Sequence, residues 1–283
     1  MKSNKKIKED LTNLNTLREI SKMYAEIASS RMKRSRQSVL TSRNFLDKVR
    51  EVFNQVHGAY LKHPSKKITF IAHNGKKVVV FLSSNTGLYG DITKKTMSHF
   101  LEDVARSGDD VVIIGRFGLS LFLGELPSHP YTFFELSDNK IDEEDFGKLV
   151  RHLVEYEEIR VHYPKFESVI TQTPSEFKIS AGAPVKELST TKAEAILDFI
   201  FEPSLEDLLA FFEKQMFTSL MEQTIRESQL AKFAARILAM DRAFDNINDK
   251  LVDSQKRFLS LTHRIGNKKQ LENLTSVITV RTN

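Results

Sequence analysis

From Leu230 to Ile265 the chain reads LAKFAARILAMDRAFDNINDKLVDSQKRFLSLTHRI. Leu230, Phe233, Ile237, Met240, Phe244, Ile247, Leu251, Ser254, Phe258, Leu261 and Ile265 recur at steps of three and four, and only Ser254 among them is polar. An amphipathic helix lying on a core shows a period of about 3.6 residues, and its stripe drifts. A repeat of about 3.5 residues sustained over several heptads stays on one seam and imposes a left-handed supercoil. The stretch therefore predicts a coiled-coil helix, and a seam of that kind needs a second helix to close it.

The other end of the chain supplies one. Between Ser3 and His57 there is neither Pro nor Gly, and Lys, Glu, Arg, Leu, Ala and Ser dominate. Those residues mostly favour helix. Apolar side chains fall at Leu11, Leu14, Leu17, Ile20, Tyr24 and Ile27. The spacing predicts a single helix of up to about 53 residues, roughly 80 Å long.

The middle changes character. Strand-like runs (KKVVVFLSS, DDVVIIG, YTFFELS, EEIRVHY, SVITQT) alternate with the helical patterns ITKKTMSHFLEDVARS and DEEDFGKLVRHLVEY. Such alternation predicts an α/β domain with a largely parallel sheet. Residues Thr171 to Ile179 add a hairpin-like edge strand. The expected organisation is an N-terminal coiled-coil helix over 1–62, a Rossmann-like α/β domain over 66–202 and a C-terminal coiled-coil helix over 204–283. The two terminal helices pair antiparallel, because the middle domain returns the chain to where it started.

Composition narrows the function. The 283 residues include no cysteine, which excludes disulfides, thiolate zinc sites and cysteine nucleophiles. Apolar runs such as VVVFL are about five residues long, far short of the roughly 20 that a membrane span needs, so direct membrane insertion is not expected. Residues 1–50 carry 13 Lys and Arg against 5 Asp and Glu, a net +8 in a chain of net +5, which leaves −3 for the rest. A basic arm of that kind meets an acidic partner or simply solvates a helix.

The stretch FLSSNTGLYGDITKKT, Phe81 to Thr96, has the outline of a phosphate-binding turn, a strand followed by a glycine loop and a helix start. Yet from Gly87 it runs GLYGDIT, without the lysine of a P-loop and without the GxGxxG of a dinucleotide site. Asp91 would cap the helix and repel a phosphate. The eight histidines are scattered, with no HExxH pair, and no GxSxG elbow is present. The acidic run DNKIDEEDF, Asp138 to Phe146, reads as a helix start. No catalytic constellation, metal site or cofactor site is legible. The basic run RMKRSR, Arg31 to Arg36, lacks the interleaved aromatics of a nucleic-acid surface, so no nucleic acid is expected.

The segment Glu227 to Asn246, ESQLAKFAARILAMDRAFDN, resembles the signature of the gamma subunit of F-type ATP synthases, close to ESxASExAARMxAMxxATDN. Glu227, Ser228, Ala234, Ala235, Arg236, Ala239, Met240, Ala243, Asp245 and Asn246 match without a gap. TGLYG at Thr86 to Gly90 resembles that family's SDRGLCGG turn, with Tyr89 in place of its cysteine. LREISKMYAEIASSRMKRS parallels QKITKAMEMVAASKMRKA from Ile20 onward, keeping Lys22, Ala28, Ser30 and Met32. The resemblance thus covers nearly the whole chain.

What it implies is a non-catalytic rotor, the central stalk that couples ion flow through the membrane c-ring to ATP synthesis or hydrolysis at the beta subunits. Its implied partners are the alpha and beta subunits, the epsilon subunit and the c-ring. Its implied place is peripheral, on the cytoplasmic side of the inner membrane. By position the resemblance makes Lys22, Tyr24, Arg31, Arg236, Asn267 and Leu271 contacts with beta. Tyr24 stands where the family has Met, and Phe244, in place of the Thr of ATDN, completes the apolar seam. Near the tip, NKARQxxITxELxEIV becomes HRIGNKKQLENLTSVI, with Gly266 in place of an Arg. LREI also echoes the alternative, sodium-associated branch of these ATPases. The competing readings are a rotor of such a paralogous complex, a coiled-coil interaction protein, a nucleic-acid-binding protein and an enzyme using the α/β domain.

Overall fold

The computed structural model describes residues 2–62, 74–180 and 205–281. The domain boundaries expected between 62 and 66 and between 202 and 204 fall outside them. The chain divides into two compact units, Ala28–Arg236 and the pair Met1–Ile27 with Ile237–Asn283. Two helices run through both, α1 (Lys2–Lys62) and, last in the chain, α5 (Leu205–Arg281).

The larger unit is built around a five-stranded sheet. Its elements are β1 (Lys77–Leu82), α2 (Ile92–Ser107), β2 (Asp110–Ile114), α3 (Arg116–Glu125), β3 (Thr132–Phe134), α4 (Glu143–Leu153), β4 (Glu158–Phe166) and β5 (Gln172–Ser180). Strand order is β3-β2-β1-β4-β5, parallel except for the β4–β5 hairpin pair. The run VVVFL is buried throughout because both faces of the sheet are covered. Val78, Val80 and Leu82 meet α4 and the α5 residues Phe217, Met221 and Ile225. Val79 and Phe81 point the other way, to Met97, Phe100 and Val104 of α2 and Phe122 of α3.

The Rossmann-like α/β expectation holds, α2 has the span of its sequence pattern, and the edge strand expected near Thr171 is β5. Two local readings are corrected, at SVITQT and at Asp91, and one helix, α3, had no expectation attached to it. SVITQT is not a strand, since Glu167 and Ser168 donate backbone hydrogen bonds to the Thr171 carbonyl in a turn and β5 begins at Gln172. RFGLSLFLGE, which carries two glycines, forms α3, because Gly118 lets the helix lie against the end of β1. Asp91 sits at the N-cap of α2 without a side-chain capping bond, its carboxylate pairing instead with Lys95 Nζ at 2.7 Å.

The long helices form the antiparallel coiled coil, and their burial follows the heptad. On α5 every seam position from Leu230 to Ile265 is buried or half-buried, while most of the residues beyond Ile237 that lie between seam positions are exposed. On α1 the less exposed residues include a row, Ile7, Leu11, Leu14, Arg18, Ser21, Ala25, Ala28, Met32, Ser35, Val39, Ser42, Leu46, Val49, Phe53 and Val56, that steps by four and three without a slip, with Arg31, Ser38, Arg50 and Asn54 half-buried beside it. The apolar residues Leu17, Ile20, Tyr24 and Ile27 therefore lie in the expected helix but off this row. Leu17 is 50% exposed and Ile27 46%. From Leu14 the seam steps by four, not three, so the small Ser21 and Ala25 take the inner positions and the large apolar side chains face outward.

Candidate functional site

The glycine turn that follows β1 is where the larger unit concentrates its polar chemistry. Leu88 and Gly90 both have positive φ, at 68° and 63°. A non-glycine residue in that region is uncommon, and here it leaves Leu88 exposed and turns Tyr89 inward, 2% exposed. The turn does gather donors toward an anion, as its outline suggested. That anion is the protein's own Asp138, from the loop after β3.

Asp138 Oδ1 accepts the backbone N–H of Asn85 at 2.9 Å. Its Oδ2 accepts the Thr86 N–H at 3.2 Å, the Thr86 hydroxyl at 3.1 Å and the Tyr89 hydroxyl at 3.2 Å. Asn85 ties the same two loops a second time, its Nδ2 donating to the Leu136 carbonyl at 2.8 Å. A carboxylate fed by two backbone amides and two hydroxyls has its acceptor capacity well used. The sequence run that begins at Asp138 thus has two jobs. Asp142 caps α4 through the N–H groups of Glu144 and Asp145, as a helix start should, while Asp138 closes the turn.

Two cations reach the same place from α5. Lys232 is 4% exposed and its Nζ donates to the Ser83 carbonyl at 2.8 Å. Burial pushes its ammonium below the ordinary lysine range, the Asp138 charge acting to hold it up and Arg236 to push it further down. Arg236 is 6% exposed. Its Nη2 donates to Thr86 Oγ1 and to the Gly87 carbonyl, both at 3.0 Å, and its guanidinium carbon lies 3.9 Å from the centre of the Tyr89 ring. Tyr89 is pushed up to about 12 by burial first and the Asp138 charge second.

A second polar cluster lies on the α2 side of the sheet. Arg160 of β4 bridges Asp103 at 2.6 Å and Asp109, and His162 Nε2 lies 2.9 Å from Asp103. It joins α2 to β4.

The six residues assigned to beta contact by resemblance differ in exposure. Lys22 and Tyr24 are exposed on α1, and Asn267 and Leu271 are exposed on α5 beyond Gly266. Arg31 is half-buried and donates to Asn139 Oδ1. Arg236, committed to the glycine turn, offers almost no surface to a second chain; its observed role is internal. The residues missed by sequence reasoning are Asp138, Lys232 and Gln229. One signal was available. The family pattern has Glu where this chain has Lys232, a reversal of charge inside the best-matched segment.

A turn whose anion site is filled from within and two long helices with a heptad seam define the class, an α/β domain with long coiled-coil terminal helices. The comparisons give the family. A family model described as ATP synthase matches residues 3–258. The ATP synthase gamma chain of Ruthia magnifica subsp. Calyptogena magnifica is 25% identical over 284 residues, covering 94% of this chain and 97% of that protein. That of Staphylococcus aureus (strain JH9) is 22% identical over 267 residues, 89% of this chain and 90% of that protein. Among solved structures, the rotor of the Euglena gracilis mitochondrial ATP synthase aligns with a TM-score of 0.65 at 13% identity, covering 93% of this chain and 98% of that one. The central stalk and c-ring structure of the Tetrahymena thermophila enzyme gives 0.55 at 20% identity, covering 79% and 99%. The chain is a divergent member of the ATP synthase gamma family.

Proposed function

We propose that this chain is the central-stalk rotor of an F-type ATP synthase, turning inside a hexamer of alpha and beta subunits and bearing on an epsilon subunit and a membrane c-ring. The observation that supports the reading most is the unbroken heptad burial along both long helices in a chain that matches the family over residues 3–258. A shaft must resist bending and twisting, and a long apolar seam between two helices supplies that stiffness. The reaction belongs to the beta subunits. The rotor contributes a surface that favours a different conformation in each of them, and turning it moves that preference around the ring.

The exposed apolar row of α1, Leu17, Ile20, Met23, Tyr24 and Ile27, fits the same reading, flanked as it is by Lys22. Together with Arg31, Asn267 and Leu271 it forms our proposed contact set with beta. No described helix is long and apolar enough to cross a membrane, and our reading makes the chain a peripheral subunit on the cytoplasmic side. The test is purification from native membranes through a tag at the C-terminus, with mass spectrometry and an ATPase assay. Recovery of alpha, beta and epsilon homologues with ATPase activity is the expected result. Recovery of the chain alone or with nucleic acid would end the rotor reading.

A further inference from the structure

A rotor has to pass torque from its helices to its domain, and apolar contact is poorly suited to that task. Dispersion and hydrophobic burial are non-directional and change little when one surface slides a short way over another. Hydrogen bonds to charged groups fix both register and rotation, because distance and angle must be kept. Within Ala28–Arg236, α5 packs on the sheet through Phe217, Met221 and Ile225. One turn further along, the character of its inner face changes. Gln229, Lys232 and Arg236, spaced by three and four and so on one side of the helix, all donate into the loops at the ends of β1 and β3.

Gln229 Nε2 reaches the Ser137 carbonyl at 3.3 Å, Lys232 the Ser83 carbonyl at 2.8 Å, and Arg236 both Thr86 Oγ1 and the Gly87 carbonyl at 3.0 Å. The acceptors belong to two different loops, and Asp138 binds those loops to each other through Asn85, Thr86 and Tyr89. The row therefore grips one braced unit at several points. Buried cations cost desolvation, and apolar residues of similar volume would hold the helix down at least as well. A row of this kind is suited to orientation more than to adhesion.

We propose that Gln229, Lys232 and Arg236, with Asp138 bracing their acceptors, are the positioning residues that lock the C-terminal helix to the α/β domain against slip under load. The inference rests on the rotor reading for the word load, but the lock itself belongs to this chain alone. Two variants test it, Lys232→Met, which keeps most of the length and removes the charge, and Arg236→Lys, which keeps the charge but loses the planar guanidinium that lies over the Tyr89 ring. If one of them does not fold, the other is read by the same measurements.

In the full chain, amide exchange at Asn85 and Thr86 is expected to rise about tenfold or more once a hydrogen bond to a buried charge is lost. In the assembled complex in vesicles, ATP hydrolysis is expected to stay within about twofold, while the steady ion gradient it sustains falls by a larger factor. Unchanged exchange would overturn the lock. Raised exchange with an unchanged gradient would show that the row holds the fold without bearing load. Hydrolysis, gradient and assembled yield falling in the same proportion would mean a merely structural role, which also overturns the proposal. If the unaltered chain fails to assemble with ATPase subunits, the rotor reading falls and the load-bearing role with it, and the exchange measurement still reports on the lock.

Discussion

Single side chains decide how the larger unit responds to pH and to added volume. Tyr89, Tyr156 and Tyr163 are each pushed up to about 12 from 10.0, burial being the first cause in all three, followed by Asp138 at Tyr89, a hydrogen bond to Asp110 at Tyr156 and the Glu227 charge at Tyr163. A phenol with a raised pKa stays protonated in the folded chain when the unfolded chain has already lost its proton. Its contribution is fully present below pH 10 and is lost as pH rises through about 12. Stability to denaturant is expected to fall across that window, with phenolate absorbance appearing together with unfolding. Free titration of these tyrosines near pH 10 in the folded chain would contradict the burial argument. Lys232 has the opposite sign. Its lowered pKa means that stability rises as pH approaches the ordinary lysine value, and Lys232→Met removes that rise. At Gly118 an added Cβ would lie 2.4 Å from Ser83 Cβ and 2.7 Å from its Oγ. Gly118→Ala should cost about 1–3 kcal/mol, read as a lower melting temperature. An unchanged melting temperature would show that β1 and α3 can part at no cost.

At the scale of elements, Leu251 and Gly266 on α5 make an instructive pair. Leu251 is buried in the seam, and its replacement by Ala is expected to cost about 2–5 kcal/mol, toward the lower end because neighbouring seam positions are only half-buried. Gly266 lies inside the same helix with nothing within 4 Å of an added Cβ. Gly266→Ala should therefore stabilise α5 by about 1 kcal/mol and raise its helicity by circular dichroism. Loss of helicity in that variant would mean that the glycine is needed for a non-helical state.

The seam of α5 could be read from the sequence because its positions are large and apolar, so period and burial coincide. The seam of α1 could not be followed past Leu14 because its inner residues include Arg18, Ser21, Ala25, Ser35 and Ser42. Those are polar or small, so hydropathy does not mark their positions as inner ones. The parallel strands were legible as runs buried on both faces. The polar lock was not, because it joins Ser83, Asp138 and Lys232 across most of the chain, and no local pattern encodes such a pairing.

At the scale of the whole molecule, charge is the property with a measurable outcome. Residues 1–50 carry a net +8 while the remainder carries −3, and the basic side chains of α1 such as Lys22, Lys33, Arg34 and Arg36 are exposed. Association with an acidic partner surface should then slow by about tenfold or more between low and high salt, as expected for steered encounter. Neutralising several of those exposed residues should flatten the dependence. A rate indifferent to salt would assign the basic arm to solvation alone.

The carboxylate of Asp138 in the glycine turn has a consequence for the surroundings in which such a subunit works. A motor of this class turns in a medium crowded with adenine nucleotides and inorganic phosphate. An empty cradle of amides on its moving part would be a standing invitation to those anions, and each capture would add drag or a stray allosteric state. With the cradle occupied by a tethered carboxylate, whose effective concentration no free ligand matches, the domain stays indifferent to the currency it helps to mint.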